Sequence, residues 1–227
     1  MPFLDSEYFL VSLLLAIPSL LAAWYVKSTF ARFTRVGVRS GLNGAQAAQA
    51  VLRAAGVGGV AIERHQGFLS DHYDPRAKAL RLSPDVYDGR SVSSIAVAAH
   101  EAGHAIQDAR RYAPLVWRSQ LVPITNIGNQ LWIVPTMLGV FTGMTGLIWV
   151  GVVLLAAVVL FHLVTLPTEL DASSRAKAVL ADSGIVATQE EARGVASVLN
   201  AAALTYVAAA LTAVLQLVYW ISRAREE

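Results

Sequence analysis

The sequence predicts a mainly α-helical fold with about four transmembrane helices and a small cytoplasmic α+β part. Three observations carry that expectation. The chain of 227 residues is 55% hydrophobic but only 15% charged, where a soluble domain carries about 25% charged residues. The deficit is concentrated, because Asp, Glu, Lys and Arg are all absent from Ser119 to Thr168. A soluble helix needs a wet face and has no use for so long an uncharged run, whereas a bilayer takes about 20 apolar residues per span. The basic residues, finally, crowd into two polar segments that flank the uncharged run.

Composition also excludes some classes. The net charge is +2 and no dense Lys/Arg block occurs, so nucleic acid is not an expected partner. Cysteine is absent, which rules out disulfides, thiolate zinc sites and a cysteine nucleophile together.

Residues 1–26 read as an N-terminal transmembrane anchor. Tyr8 to Val26 is uncharged, with Trp24 and Tyr25 at one end and Lys27 just beyond, the pattern of an interfacial aromatic belt. A cleaved signal peptide would carry basic residues before its apolar run, and here Asp5 and Glu7 precede it.

Residues 27–118 form the polar region. A short helix opens at Asn43 or Gly44 and closes at Gly56–Gly59. Val60–Arg64 and Leu80–Ser83 alternate as short strands, with a turn at Asp74-Pro75 between them, and two or three strands are expected in this stretch. Ser91 to Ala109 reads as a helix with a serine near its N-cap. Residues 119–166 are long enough for a transmembrane hairpin, with helices over about 120–141 and 146–166 and a turn at Thr142-Gly143-Met144-Thr145-Gly146. Pro167 suits the first turn of a new helix running to Asp182. Residues 167–200 thus make a helix and loop, and residues 201–227 a last span and tail.

The charges predict an orientation. Thirteen of the 18 Lys and Arg lie between Lys27 and Arg118 and three more are Arg175, Lys177 and Arg193, against Arg223 and Arg225 elsewhere. With four spans both richer segments share a side, which the positive-inside rule makes cytoplasmic.

One motif carries chemistry. His100-Glu101-Ala102-Gly103-His104 is an H-E-x-x-H pattern. Residues four apart share a helix face, so His100 and His104 can offer ring nitrogens to one tetrahedral zinc ion. Glu101 lies about 100° around the axis, beside the ligands, where it can act as general base on the attacking water and not bind the metal. The alternative is a polar face of an ordinary amphipathic helix. Against it stand the small residues Ala98, Ala99, Ala102, Gly103 and Ala105, expected to leave space over the site, and the ligand spacing of two of only five His.

A catalytic zinc needs a third protein ligand. The candidates are His65, His72, Asp108, His162, Glu169 and Asp171. Glu169 is preferred, because a hairpin of two spans returns it to the side of the membrane where His104 lies. Asp171 is a candidate to orient a zinc-bound His through its second ring nitrogen. His162, inside a span, is expected to bond a neighbouring carbonyl, and His72 to belong to a turn. The Leu80–Ser83 strand offers an edge to which an extended substrate could add, an ordinary packing strand being the simpler reading.

At these residues the chain resembles the neutral zinc metallopeptidases of bacterial membranes, the YugP-like proteins. The resemblance rests on Ser70-Asp-His-Tyr-Asp-Pro75, Leu82-Ser-Pro-Asp-Val-Tyr87, Ala98-Ala-His-Glu-Ala-Gly-His-Ala-Ile-Gln107, Leu121-Val-Pro-Ile-Thr-Asn-Ile-Gly128, Leu166-Pro-Thr-Glu-Leu-Asp-Ala-Ser173 and Leu199-Asn-Ala-Ala-Ala-Leu-Thr-Tyr-Val-Ala-Ala-Ala210. It implies a multi-pass peptidase of the bacterial plasma membrane with a zincin-like catalytic part, a gluzincin ligand plan of His100, His104 and Glu169, and Glu101 as base. The expected partners are the lipid bilayer and a peptide or membrane-protein substrate, and a homo-oligomer or membrane-protein partner is compatible with four spans. Two other readings stand beside an endopeptidase at the cytoplasmic surface. One is an intramembrane, site-2-type protease. The other is a non-enzymatic membrane scaffold with a residual metal site, against which an intact Glu101 argues.

Overall fold

The computed structural model describes residues 6–67 and 70–226. Residues 1–5, the start of the expected anchor, and residue 227, the end of the expected tail, lie outside the described residues. The chain is mainly helical: α1 (Ser6–Phe33), α2 (Gly44–Ala54), α3 (Pro84–Tyr87), α4 (Val92–Ala109), α5 (Ala113–Leu131), α6 (Ile133–Thr142), α7 (Thr145–Asp182) and α8 (Gln189–Glu226). Three short strands, β1 (Ala61–Arg64), β2 (His72–Asp74) and β3 (Ala79–Leu82), lie between α2 and α3.

By internal contacts the chain divides into two compact units. One comprises Met1–Ala23, Trp117–Pro167 and Leu204–Glu227, the other Trp24–Val116 and Thr168–Ala203.

Three helices of the described residues are long and apolar enough to cross a membrane, over Leu13–Phe33, Thr145–Asp182 and Gln189–Glu226. The helix expected over about 120–141 is not one unbroken rod. It is divided near Trp132 into α5, which carries Pro123, and the ten-residue α6. Asn126, Asn129 and Gln130 dilute the hydropathy of α5, and α6 alone is about 15 Å long, half of a bilayer core. In this first unit Ile148, Val152, Leu155 and Val158 of α7 form a core with Trp220 of α8. The turn into α7 ends α6 at Gly143, whose φ of 69° suits a residue without a Cβ.

Pro167 does not begin a helix. α7 runs through it to Asp182. A proline inside a helix forfeits one hydrogen bond, a loss that apolar helices tolerate when neighbouring groups compensate.

The second unit is built around α4. Its Ser91 N-cap accepts from the Ser94 N–H at 3.2 Å, and the Ser93 hydroxyl donates to the Phe30 carbonyl of α1 at 2.8 Å. The connection after α1 is stitched to the same end of α4, with Val92 N–H donating to the Val36 carbonyl at 2.8 Å. Asn43 and Gln46 close a reciprocal capping box on α2. Val51 and Leu52 of α2, Leu80 and Leu82 of β3, and Ile95 and Ile106 of α4 share one core with Leu180 and Leu199. Each such side chain contributes about 1.5–3 kcal/mol on burial.

The sheet order is β1-β3-β2, with β1 parallel and β2 antiparallel to β3. The strand over Leu80–Ser83 is therefore central. Its backbone groups are taken on both sides, and it has no edge to offer a substrate.

Candidate metal centre

α4 brings His100 and His104 onto one face, with ring centroids 4.8 Å apart. α7 delivers Glu169 to the same point. Its Oε2 lies 3.1 Å from His100 Nε2 and 3.4 Å from His104 Nε2. One ligand atom from each of the three residues falls within 4.8 Å of the others, the only such group among the described residues. His100, Glu101, His104 and Glu169 are all buried, Glu169 at 1% exposure.

The close meeting of α4 and α7 depends on Gly103. A Cβ there would stand 2.6 Å from the Ala172 carbonyl oxygen. Ala98, Ala99, Ala102 and Ala105 are likewise buried. The sequence suggested that these small residues leave space over the site, and the structure gives them a packing role. They let neighbouring elements pack close to the motif helix.

The far side of each imidazole is occupied. His100 Nδ1 lies 3.1 Å from the Ser173 hydroxyl, and His104 Nδ1 lies 3.0 Å from Gln107 Oε1. Gln107 Nε2 donates to the Thr168 carbonyl at 2.7 Å and to Asp171 Oδ2 at 2.8 Å. Asp171 thus touches Gln107 and not a histidine, and it is also bound by Arg175, Nε to Oδ2 at 2.5 Å. Sequence reasoning missed Gln107 and Ser173. A signal existed in each case, since Gln107 follows His104 by three residues and Ser173 follows Glu169 by four, positions that share a helical face.

The remaining candidates lie elsewhere. Asp108 accepts from the Tyr73 hydroxyl at 2.5 Å and is also paired with Lys78. His72 opens β2, its Nδ1 2.8 Å from the Ser70 carbonyl, and its ring meets that of His65 edge-on at 5.5 Å. His162 meets Phe161 edge-on at 5.9 Å.

The electrostatics favour a cation. Burial pushes the His104 imidazole down, but its hydrogen bond to Glu169 and the charges of Glu101 and Glu169 outweigh this and hold it above its ordinary value. The field that retains a proton there would retain a metal ion. Nearby, burial raises the Asp71 carboxyl despite hydrogen bonds from Ser83, and the charge of Glu101 adds to the rise.

The donor set fits zinc. Ligands at about 2.0–2.1 Å from a tetrahedral ion stand about 3.3 Å from one another, close to the 3.1 and 3.4 Å found here. Two imidazoles and a carboxylate, with both outer ring nitrogens engaged, are a common arrangement for a catalytic zinc.

A family model described as "Putative neutral zinc metallopeptidase" matches residues 8–225. The chain belongs to that family of zinc peptidases. Among curated proteins it is similar to the "Putative membrane protease YugP" of Bacillus subtilis (strain 168), with 42% identity over 200 residues, 88% of each chain. No solved structure matches it.

Proposed function

We propose that this chain is a membrane-bound zinc-dependent endopeptidase in which His100, His104 and Glu169 hold the metal and Glu101 is the general base. The observation that supports this is the convergence of three ligand atoms within 4.8 Å, with Glu101 next in sequence to His100 and as buried as the two histidines. Bound zinc supplies Lewis acidity toward the scissile carbonyl and the attacking water. Glu101 takes the proton as water attacks and passes it to the amine nitrogen as the C–N bond breaks. The Ser173 hydroxyl and the Gln107 amide, set at the Nδ1 atoms of His100 and His104, leave the Nε2 atoms as the ones that would hold the metal.

The same contact supports a fourth crossing. His100 and Glu169 lie 3.1 Å apart, so the chain between them crosses the bilayer an even number of times. The uncharged first part of α7 is one crossing. α5 and α6 together then supply the other, as two pieces of one broken span. With α1 and α8 this makes four spans and puts both basic segments on the cytoplasmic side. The end of the uncharged run at Thr168, one residue before Glu169, favours a site at the membrane surface over the intramembrane reading.

The test is metal content and cleavage of casein or a membrane-protein substrate by wild type and Glu101→Gln. Zinc in both and hydrolysis in wild type alone is the expected result, and equal hydrolysis overturns the assignment. Orientation is read with a single introduced cysteine, which is unique because the chain has none. Arg76→Cys, on an exposed turn, should react with an impermeant maleimide in inverted vesicles and not in intact cells.

A further inference from the structure

Gln107 is fully buried on α4, and each polar atom of its side chain is used. Nε2 donates both hydrogens, to the Thr168 carbonyl at 2.7 Å and to Asp171 Oδ2 at 2.8 Å. Neither acceptor has a hydrogen to give. Turning the amide over would set Oε1 against a carbonyl and a carboxylate, so the placement of its oxygen is dictated by its surroundings. Oε1 therefore faces His104 Nδ1 at 3.0 Å. An amide oxygen only accepts, so Nδ1 carries a hydrogen, and Nε2, which faces Glu169 Oε2 at 3.4 Å, is the nitrogen left to offer a lone pair to a metal.

We infer that Gln107 is a positioning residue that fixes which ring nitrogen His104 presents to the metal, and that Asp171 and Arg175 hold Gln107 in that orientation. This rests on the metal-site reading above. Arg175 grips Asp171 at 2.5 and 3.1 Å and stacks over the Tyr112 ring at 5.7 Å, which keeps the carboxylate where the amide needs it. The two histidines differ in this respect. The Ser173 hydroxyl beside His100 Nδ1 can donate or accept, so it imposes no tautomer. The link is also neutral. A carboxylate in place of Oε1 would make His104 more basic, whereas the amide sets its geometry without adding charge.

The experiment measures zinc affinity of the detergent-purified full chain by chelator competition, together with the visible spectrum of the cobalt-loaded protein. Gln107→Met keeps the volume and removes all three hydrogen bonds. It should weaken zinc binding about 10–100-fold and alter the cobalt bands, while Ser173→Ala changes both less. Asp171→Asn retains an acceptor for Nε2–H and should stay near wild type, whereas Asp171→Leu should follow Gln107→Met. Wild-type affinity and an unchanged cobalt spectrum in Gln107→Met overturn the inference and leave the zinc assignment standing. A wild type that binds no zinc overturns both. If Gln107→Met fails to fold, the Asp171 pair decides, and equal affinities for Asn and Leu overturn the inference.

Discussion

His100 Nε2 and Glu169 Oε2 stand 3.1 Å apart although 69 positions separate them in the chain. The contact joins the motif helix α4 to the long helix α7, and the chemistry proposed here follows from what each helix brings to that point.

Glu101 is the group that α4 adds beside its two histidines. Glu101→Gln preserves shape and removes the proposed base, so hydrolysis should fall about 10²–10⁴-fold with metal content unchanged. Metal analysis and peptide-cleavage rates on the same preparation check this.

Glu169 is what α7 adds. Glu169→Ala would leave the two imidazoles without the proposed anionic ligand in a buried site. Zinc affinity should drop by more than the roughly 10–100-fold typical of groups that only support ligands. Chelator competition reads the loss, and zinc, which should raise the unfolding temperature of wild type, should no longer do so in the variant.

Gly103 sets how near the two helices come. A methyl group at Gly103→Ala would press on the Ala172 carbonyl oxygen, 2.6 Å from the added carbon. Overpacking of this kind costs about 1–3 kcal/mol. The expected outcome is a lower unfolding temperature and weaker zinc binding together, because Ala172 lies three residues from Glu169.

Tyr73 gives the fold an alkaline limit. Burial, then its hydrogen bond to Asp108, raise the phenol well above its usual value. A folded pKa above the unfolded one means that the stabilisation is complete below about pH 10, the unfolded value, and is lost as pH rises toward the folded one. The unfolding temperature of wild type should therefore fall more steeply above about pH 10 than that of Tyr73→Phe, as read by circular dichroism.

How much of this could be read from sequence depended on whether the signal was local. The motif helix was legible because small residues, a serine near the N-cap and an i, i+4 histidine pair all act within one element, although which serine caps it, Ser91, came only from the structure. The α2 cap at Asn43 was legible for the same reason. The break of α5 from α6 near Trp132 was not, since an apolar run shows length but not continuity. Pro167 was given its commonest helical role as a start, although α7 continues through it. β3 was found, but its central place was not, because β2 is only three residues long and leaves almost no alternation to detect. Gln107 looked like one more polar residue on a helix. Its use becomes visible only once α7 has set Thr168 and Asp171 against it.

The separation of the proposed ligands along the chain has a consequence for assembly. His100 and His104 precede the uncharged run and Glu169 follows it. During synthesis the two imidazoles would therefore wait without their carboxylate until the chain has been made past position 169. Zinc retention by arrested nascent chains should rise only once that position has been passed, and full retention by shorter chains would mean that Glu169 is not needed to hold the metal.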